Sequence, residues 1–432
     1  MFNIFQYSED KYKEFVEILN QRKSQQSSNV TEKVQDILAK VKQEGDGALI
    51  ELTEKFDGVV LKDLEVSNEE LEEALSKIDD EFKNILEEAK KNIESYHNKM
   101  LQRSWCDFQE DGVFLGQKVV PLERVGVYVP GGTATYPSSV LMNIVPARVA
   151  GVKEIIMVTP PDKEGKINPA VAVAAKVAGI DKIYKVGGAQ AIGALAYGTE
   201  SIGKVDKIVG PGNIFVATAK KEVFGEVDID MIAGPSEILV IADENANPKH
   251  VAADLLSQAE HDKLASSIFV TTSKKLMDET IEELKIQTSK LSRKEIIEES
   301  LENYGLFILC QSIDQAIELS NKIAPEHLEL MISNVTENLP KVKNAGSIFL
   351  GYYTPEPVGD YFAGPNHVLP TAGTAKFFSP LSTESFLKKS SFLYYSQEKL
   401  NKEGNKIIKF AEQEGLTAHA NSVRVRVEDG RV

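Results

Sequence analysis

From Leu122 onward the chain alternates short apolar runs with helical stretches, and that alternation constrains its fold more than any other feature. The runs are VGVYV, EIIMVT, KIYKV and KIVG, and between them lie Leu141–Ala150, Ala170–Ala178, Ala189–Ala196 and Asn213–Val223. A strand that always leads into a helix predicts a parallel, doubly wound sheet. The runs are nearly continuous in apolar residues, as expected where helices cover both faces. The pattern resumes after Gly234 with EILVIA, SIFVTT, LFILC, HLELMI and SIFL. Helices at Lys274–Leu284, Asp314–Ile323 and Thr336–Val342 separate them. The prediction is therefore α/β: two Rossmann-like parallel-sheet units.

The flanks read differently. Up to about residue 118 the segments Asp10–Arg22, Val30–Glu44 and Glu69–Ile93 carry apolar residues at helical spacing, which predicts a helical N-terminal region. The charged run from Glu69 to Lys99 reads as a solvated helix face with His97 on the surface. From Gly351 the sequence GYYTPEPVGDYFAGPNHVLPTAGTAKF is rich in Gly, Pro and aromatics, and an irregular segment of that length is usually functional. A small tail domain follows, with a helix near Gly404–Glu414 and HANSVRVRV as a candidate strand. At 432 residues the chain is too long for one ordinary core. The expected division is an arm over 1–30, whose role the sequence leaves open, and a first α/β domain from 31–121 and 236–381. An inserted α/β domain over 122–235 and a tail over 382–432 complete it.

Composition excludes some functions. A net charge of −16 argues against a nucleic-acid partner, which calls for a basic footprint. The two cysteines, Cys106 and Cys310, have no metal-type spacing and form no disulfide framework, which fits a reducing cytoplasm. No apolar run approaches the ~20 residues of a membrane span.

Three loops of the first α/β unit lie where such sheets bind ligands, after the strands' carboxyl ends. PGGTATYPSS follows VGVYV, GGAQAIG follows KIYKV, and GPGN follows KIVG. Each brings glycine close to a helix start, where backbone N–H groups and the helix dipole favour a phosphate. None is a full GxGxxG, and tight strand-to-helix turns explain each one singly. Together, with polar handles in Tyr128, Gln190 and Asn213, they predict a dinucleotide site.

A second set of residues suits acid–base and metal chemistry. In GPSEILVIADENANPKHVAADLLSQAEHD a strand leads to a helix capped by Asn247-Pro248. Gln258 and His261, three apart, sit side by side on that helix and make half of a metal site; a capped helix ending in polar residues is the plainer reading of the stretch alone. APEHLELM places Glu326 beside His327 at the start of a strand, a pair suited to general-base work. Asp360 and His367 lie in the glycine-rich loop, and Glu414 and His419 follow the tail helix. There is no HExxH, no cysteine pair and no P-loop.

With these residues in view the chain resembles the histidinol dehydrogenase family. YVPGGTATYPSSVLMN, VGGAQAIGALAYGT, GPGN, AGPSE, SQAEHD, APEHLEL, VGDYFAGPNHVLPT and EGLTAHANSVRVR carry the resemblance, in order, from about residue 30 to the C-terminus. It implies NAD-dependent, four-electron oxidation of L-histidinol through L-histidinaldehyde to L-histidine, the last steps of histidine biosynthesis, with two NAD reduced per substrate. It implies one Zn2+ per subunit on Gln258, His261, Asp360 and His419, in a homodimer whose His419 comes from the other subunit. It implies Glu326 and His327 as bases and cofactor contacts at Tyr128, Gln190 and Asn213. Substrate contacts fall on Ser236, Gln258, His261, His327, Asp360, Glu414 and His419. Three rival readings are a zinc hydrolase, a non-catalytic dinucleotide binder on the same fold, and a dehydrogenase of a different amino alcohol.

Overall fold

The computed structural model describes residues 3–24, 28–131, 136–180 and 182–429, so 132–135 of the PGGTATYPSS loop lie outside the described residues. In chain order the strands are β1 (Asn3–Gln6), β2 (Trp105–Gln109), β3 (Val113–Pro121), β4 (Arg124–Tyr128), β5 (Glu154–Thr159), β6 (Ile183–Lys185) and β7 (Lys207–Val209). They continue with β8 (Asp228–Ile229), β9 (Glu237–Ala242), β10 (Ser266–Thr271), β11 (Leu306–Leu309), β12 (His327–Met331), β13 (Ser347–Leu350) and β14 (Leu387–Tyr394). The chain divides into two compact units: Met1–Met100 with Leu122–Phe386, and Leu101–Pro121 with Leu387–Val432.

The first unit holds both parallel sheets. One has the order β6-β5-β4-β7-β8. The chain runs outward from β4 to β6, crosses back, and runs outward again from β7, so β4 and β7 flank the point where strand order reverses. The other sheet, β1-β11-β10-β9-β12-β13, does the same about β9 and β12. Every residue of β9 and of β10 is buried, which is why their sequences show no polar alternation. The helices between strands begin and end on local signals. Asn168 caps Pro169–Ala178 by accepting from Ala170 N and Val171 N, and Gly179 closes that helix in the left-handed conformation.

The helical reading of the N-terminal flank holds for most of its length but misses strands. Glu69–Ile93 is two helices, Asn68–Ser76 and Asp80–Asn98, and the second starts on an Asp79 cap. His97 is not on the surface: with Leu86, Ala89 and Ile93 it continues the buried stripe of Asp80–Asn98, and its side chain is fully buried. The segment Gly351–Phe377 is not wholly irregular either, since Glu356–Tyr361 forms a short helix after Pro355. Thr336–Val342 is a single turn, Val335–Asn338, running into a 3-10 turn.

In the second unit β14 and β2 pair antiparallel with β3 on either side. HANSVRVRV is helical, not a strand: Thr417–Asp429 packs along the helix Gln397–Gln413. Its valines alternate with arginine, yet Ala420, Val423 and Val427 also repeat at three and four. Ala420 and Val427 are buried, and Val423 and Val427 close over Gly404, where no Cβ fits. Arg424 pairs with Glu412 at 2.6 Å on the outside of the helix pair. Packing against a neighbouring helix thus decides between two periods that the sequence carries at once.

Candidate active site

Glu326 and His327 enter β12 beside β9, and Glu237, the first residue of β9, anchors both. Its N–H donates to Oε2 of Glu326 at 2.9 Å, and its carbonyl accepts from Nδ1 of His327 at 2.9 Å. A carbonyl only accepts, so Nδ1 carries the proton and Nε2 keeps a lone pair. Nε2 is buried with no hydrogen-bond partner. It faces Oε1 of Glu356 at 3.8 Å and Oδ1 of Asp360 at 3.9 Å. One ligand atom from each of His327, Glu356 and Asp360 lies within 4.8 Å of the others.

Glu356 and Asp360 come from opposite ends of the short helix after Pro355, one turn apart on one face. The helix is docked from its first residue, where Glu356 N donates to Oε1 of Glu329 at 2.8 Å. Glu329 is two residues beyond His327 on β12, so both point from the same face of the sheet. Ser257 Oγ reaches Oε2 of Glu356 at 3.4 Å from the helix Pro248–Ala259. The next residue, Gln258, is buried with neither amide atom hydrogen-bonded. That helix ends at Ala259, so His261 lies just beyond it in the closing turn, not on the helix as its spacing suggested. His261 N still donates back to the Gln258 carbonyl at 3.1 Å.

The electrostatics follow from crowding carboxyl groups in a dry place. Burial, then the charge of Glu356, pushes Asp360 well above the usual carboxylate range. Burial and the neighbouring Asp254 push Glu329 well up, and burial lifts Asp254 to about 6. Burial holds His327 and His261 below the ordinary histidine value, with Glu356 pulling each of them back up. Lone pairs and acids therefore converge, with the Arg293 charge felt at His261. Unpartnered, buried nitrogen and oxygen donors of this kind are what a divalent cation needs. The donor set fits a metal ion.

His367 takes a different part. Nδ1 donates to the Asp360 carbonyl at 3.1 Å and Nε2 meets Ser139 Oγ at 3.3 Å. Both ring nitrogens are engaged, and desolvation lowers this histidine to about 4. It ties the short helix bearing Asp360 to Pro137–Ala150, the helix that follows the glycine loop after β4.

The three expected cofactor handles gather at the carboxyl edge of the five-stranded sheet. Tyr128 ends β4, and its hydroxyl accepts from Gly188 N at 3.1 Å at the head of the helix that carries Gln190. Burial pushes that phenol up to about 12. Asn213 caps the helix after β7 through Phe215 N and Val216 N. Tyr128 and Asn213 thus stand on the two sides of the switch point between β4 and β7, the usual place for a dinucleotide. Ser236 immediately precedes β9. Glu414 and His419 belong to the second unit, Glu414 as the cap ending Gln397–Gln413 and His419 on the last helix, and both are exposed. Glu356, Glu329 and Asp254 were not singled out in the sequence. The available signals were Glu329 at strand spacing from His327, and Asp254 and Glu356 each four residues before Gln258 and Asp360.

No helix among the described residues is long and apolar enough to cross a membrane. A histidinol dehydrogenase family model matches residues 20–427. Histidinol dehydrogenase of Clostridium acetobutylicum is 61% identical over 412 residues, covering 95% of this chain and 96% of that protein. That of Listeria monocytogenes is 56% identical, covering 96% of this chain and 97% of its own length. The crystal structure of histidinol dehydrogenase from Elizabethkingia anophelis superposes with a TM-score of 0.94 at 39% identity, over 100% of this chain and 99% of that one. A match that spans nearly the whole chain, on a fold with the expected parallel sheets, leaves one conclusion: the chain belongs to the histidinol dehydrogenase family, NAD-dependent oxidoreductases acting on a CH–OH group.

Proposed function

We propose that this chain oxidises L-histidinol to L-histidine in two NAD+-dependent steps, with L-histidinaldehyde held between them. One observation carries the reading: His327 has its proton fixed on Nδ1, which lies 3.7 Å from Oε2 of Glu326, and a buried, unpartnered Nε2. That is a general base with a second base next to it. In the first step His327 takes the hydroxyl proton while the carbinol carbon gives hydride to one NAD+. In the second, Glu326 takes a proton from the water that adds to the aldehyde. His327 then takes a hydroxyl proton of the hydrate as hydride passes to a second NAD+. Two NADH and the carboxylate result, and the balance closes with no cysteine nucleophile. Cys310 is buried, with its thiol pushed up to about 12, which fits this direct hydration.

Zn2+, one per subunit, would be held by Gln258, His261 and Asp360 together with the partner subunit's His419. Bound there, it supplies a template for the substrate's imidazole and amine nitrogens. Ser236, Gln258, His261, His327, Asp360, Glu414 and His419 form the substrate's surroundings, and Tyr128, Gln190 and Asn213 those of the cofactor on the 122–235 domain. The homodimer is supported by the second unit, where the exposed side chains of Phe108, Phe392 and Tyr394 gather around Phe114 on one face of its sheet and β2 is exposed along its length. Apolar side chains clustered this way call for a covering surface. A cytoplasmic location agrees with a biosynthetic activity that draws on NAD+.

The test is to incubate the protein with L-histidinol, NAD+ and Zn2+ and to count NADH formed per substrate consumed. About two per substrate supports the assignment. A count of about one confines the chain to the alcohol step. No NADH with histidinol, but turnover of another amino alcohol, transfers the reading to that substrate.

A further inference from the structure

The residues expected to hold the metal are split between subunits, but the unpartnered donors of one chain are not. His327 Nε2 and Glu356 Oε1 are both buried without a hydrogen bond, and both face Asp360. The separations, 3.8 and 3.9 Å from Nε2 to the two carboxylates, are too long for hydrogen bonds. They are the spacing of donors that share an ion, since ligands about 2 Å from one metal stand about 3–4 Å from each other. His327 is also prepared as a ligand in the usual way, its other nitrogen donating to a backbone carbonyl. Glu356 is fixed through its own backbone N–H on Glu329, so its carboxylate is aimed by the helix it starts.

We propose that Glu356 is a direct metal ligand in the substrate-free protein, forming with His327 and Asp360 a divalent-cation position complete within one subunit. The inference rests on the metal-dependent reading above and adds a holding position that does not wait for the partner subunit's His419. A subunit can then retain its ion while the exchanged tail is absent, and His327 is released for base work only when the ion is drawn to the substrate-binding set. The chemistry required is that of a borderline divalent ion accepting one imidazole and two carboxylates, which Zn2+ and Co2+ both meet.

The experiment uses full-length protein stripped with a chelator and titrated with Zn2+ and, separately, Co2+, without substrate or NAD+. The readouts are bound metal per subunit, the affinity by chelator competition, and the visible absorption of the Co2+ form. His419→Ala is expected to keep one ion per subunit, with its affinity lowered. In that background Glu356→Gln is expected to weaken binding by more than about 100-fold, beyond what loss of an orienting neighbour costs, and to change the Co2+ spectrum. Gln258→Ala in the same background is expected to do less. Gln is isosteric with Glu and can still accept from Ser257. Should that variant not fold, Glu356→Asp, which keeps the charge on a shorter arm, is expected to bind at least about 10-fold more weakly. Unchanged affinity and spectrum in the Gln variant, or in the Asp variant where only that one folds, overturn the role of Glu356. If Gln258→Ala abolishes binding and Glu356→Gln does not, the ion sits on the other set and the proposal is wrong. Wild-type protein that takes up neither ion overturns this inference and the zinc reading together, whereas metal-loaded wild type with an indifferent Glu356 overturns this one alone.

Discussion

The Glu237 carbonyl accepts the Nδ1 proton of His327 at 2.9 Å, and this one bond sets the tautomer of the proposed base. The same residue's N–H grips Glu326. Both proposed bases are therefore held by the first backbone unit of β9. Glutamine can replace Glu326 in that grip, because its amide oxygen also accepts from Glu237 N. Glu326→Gln should then leave the fold and alcohol oxidation largely intact while slowing aldehyde oxidation about 10²- to 10⁴-fold, the usual worth of a general base. Stopped-flow NADH traces with histidinol and with histidinaldehyde separate the two steps. An equal loss in both would mean that Glu326 does not act on water alone.

Gly210 lies between β7 and Asn213 at φ 115°, with Asp230 Oδ2 accepting its N–H at 2.8 Å and the buried Lys220 donating to its carbonyl at 3.0 Å. A Cβ there would stand 2.1 Å from the Tyr128 carbonyl oxygen, across the switch point. Gly210→Ala should therefore strain the loops after β4 and β7 by about 1–3 kcal/mol. If those loops bind NAD+ in their present geometry, its KM should rise by about 5- to 150-fold. Histidinol KM at saturating NAD+ should move little. A folded variant with unchanged NAD+ KM would place the cofactor elsewhere.

How much of this was legible follows from where burial leaves a mark. β4 to β7 and β9 to β13 stand out because their apolar runs are covered on both sides. β2 and β14 are exposed along nearly their whole length, so WCDFQ and LKKSSFLY carry no alternation to read, and β8 is only two residues long. By residue type His97 reads as a surface group, yet it follows Leu86, Ala89 and Ile93 at three- and four-residue steps, so the period points inward where the polarity points out. The same bias hid Asp254, Glu329 and Glu356, acids that share a helix or strand face with Gln258, His327 and Asp360. The spacing that joins them is present in the sequence. What is missing there is the docking of the Glu356–Tyr361 helix on Glu329, a contact between residues 27 positions apart.

His419 and Glu414 are exposed on the second unit, whereas Glu326 and Asp360 belong to the first. If the partner's His419 completes each site, two inactive variants can repair one another. Mixed and reassorted His419→Ala and Glu326→Gln subunits form heterodimers in which one site has an intact Glu326 and an intact histidine from the partner. Random exchange should restore about a quarter of wild-type activity from parents with little of their own. Activity that stays at the parental level after exchange is verified by native mass spectrometry would count against shared sites.

His97 offers a pH prediction far from the chemistry. Its ring is wholly buried, both nitrogens lack partners, and burial lowers it from 6.5 to about 4. The folded state thus prefers the neutral ring, while the unfolded chain takes up a proton near pH 6.5. Above that value protonation costs nothing; as pH falls from 6.5 towards 4 the unfolded state binds the proton first, and stability drops by about 2–3 kcal/mol. Below about 4 both states are charged and the loss from this residue levels off. His97→Leu keeps an apolar side chain of similar size on the stripe formed with Leu86, Ala89 and Ile93. It should match or exceed the wild type in urea at pH 7.5, where only two unsatisfied nitrogens have been removed. At pH 5 it should keep more of its midpoint than the wild type, because buried carboxyl groups such as Asp360 contribute equally to both proteins and cancel in the comparison. Identical falls in midpoint for the two would show that this ring is solvated or partnered when the protein titrates.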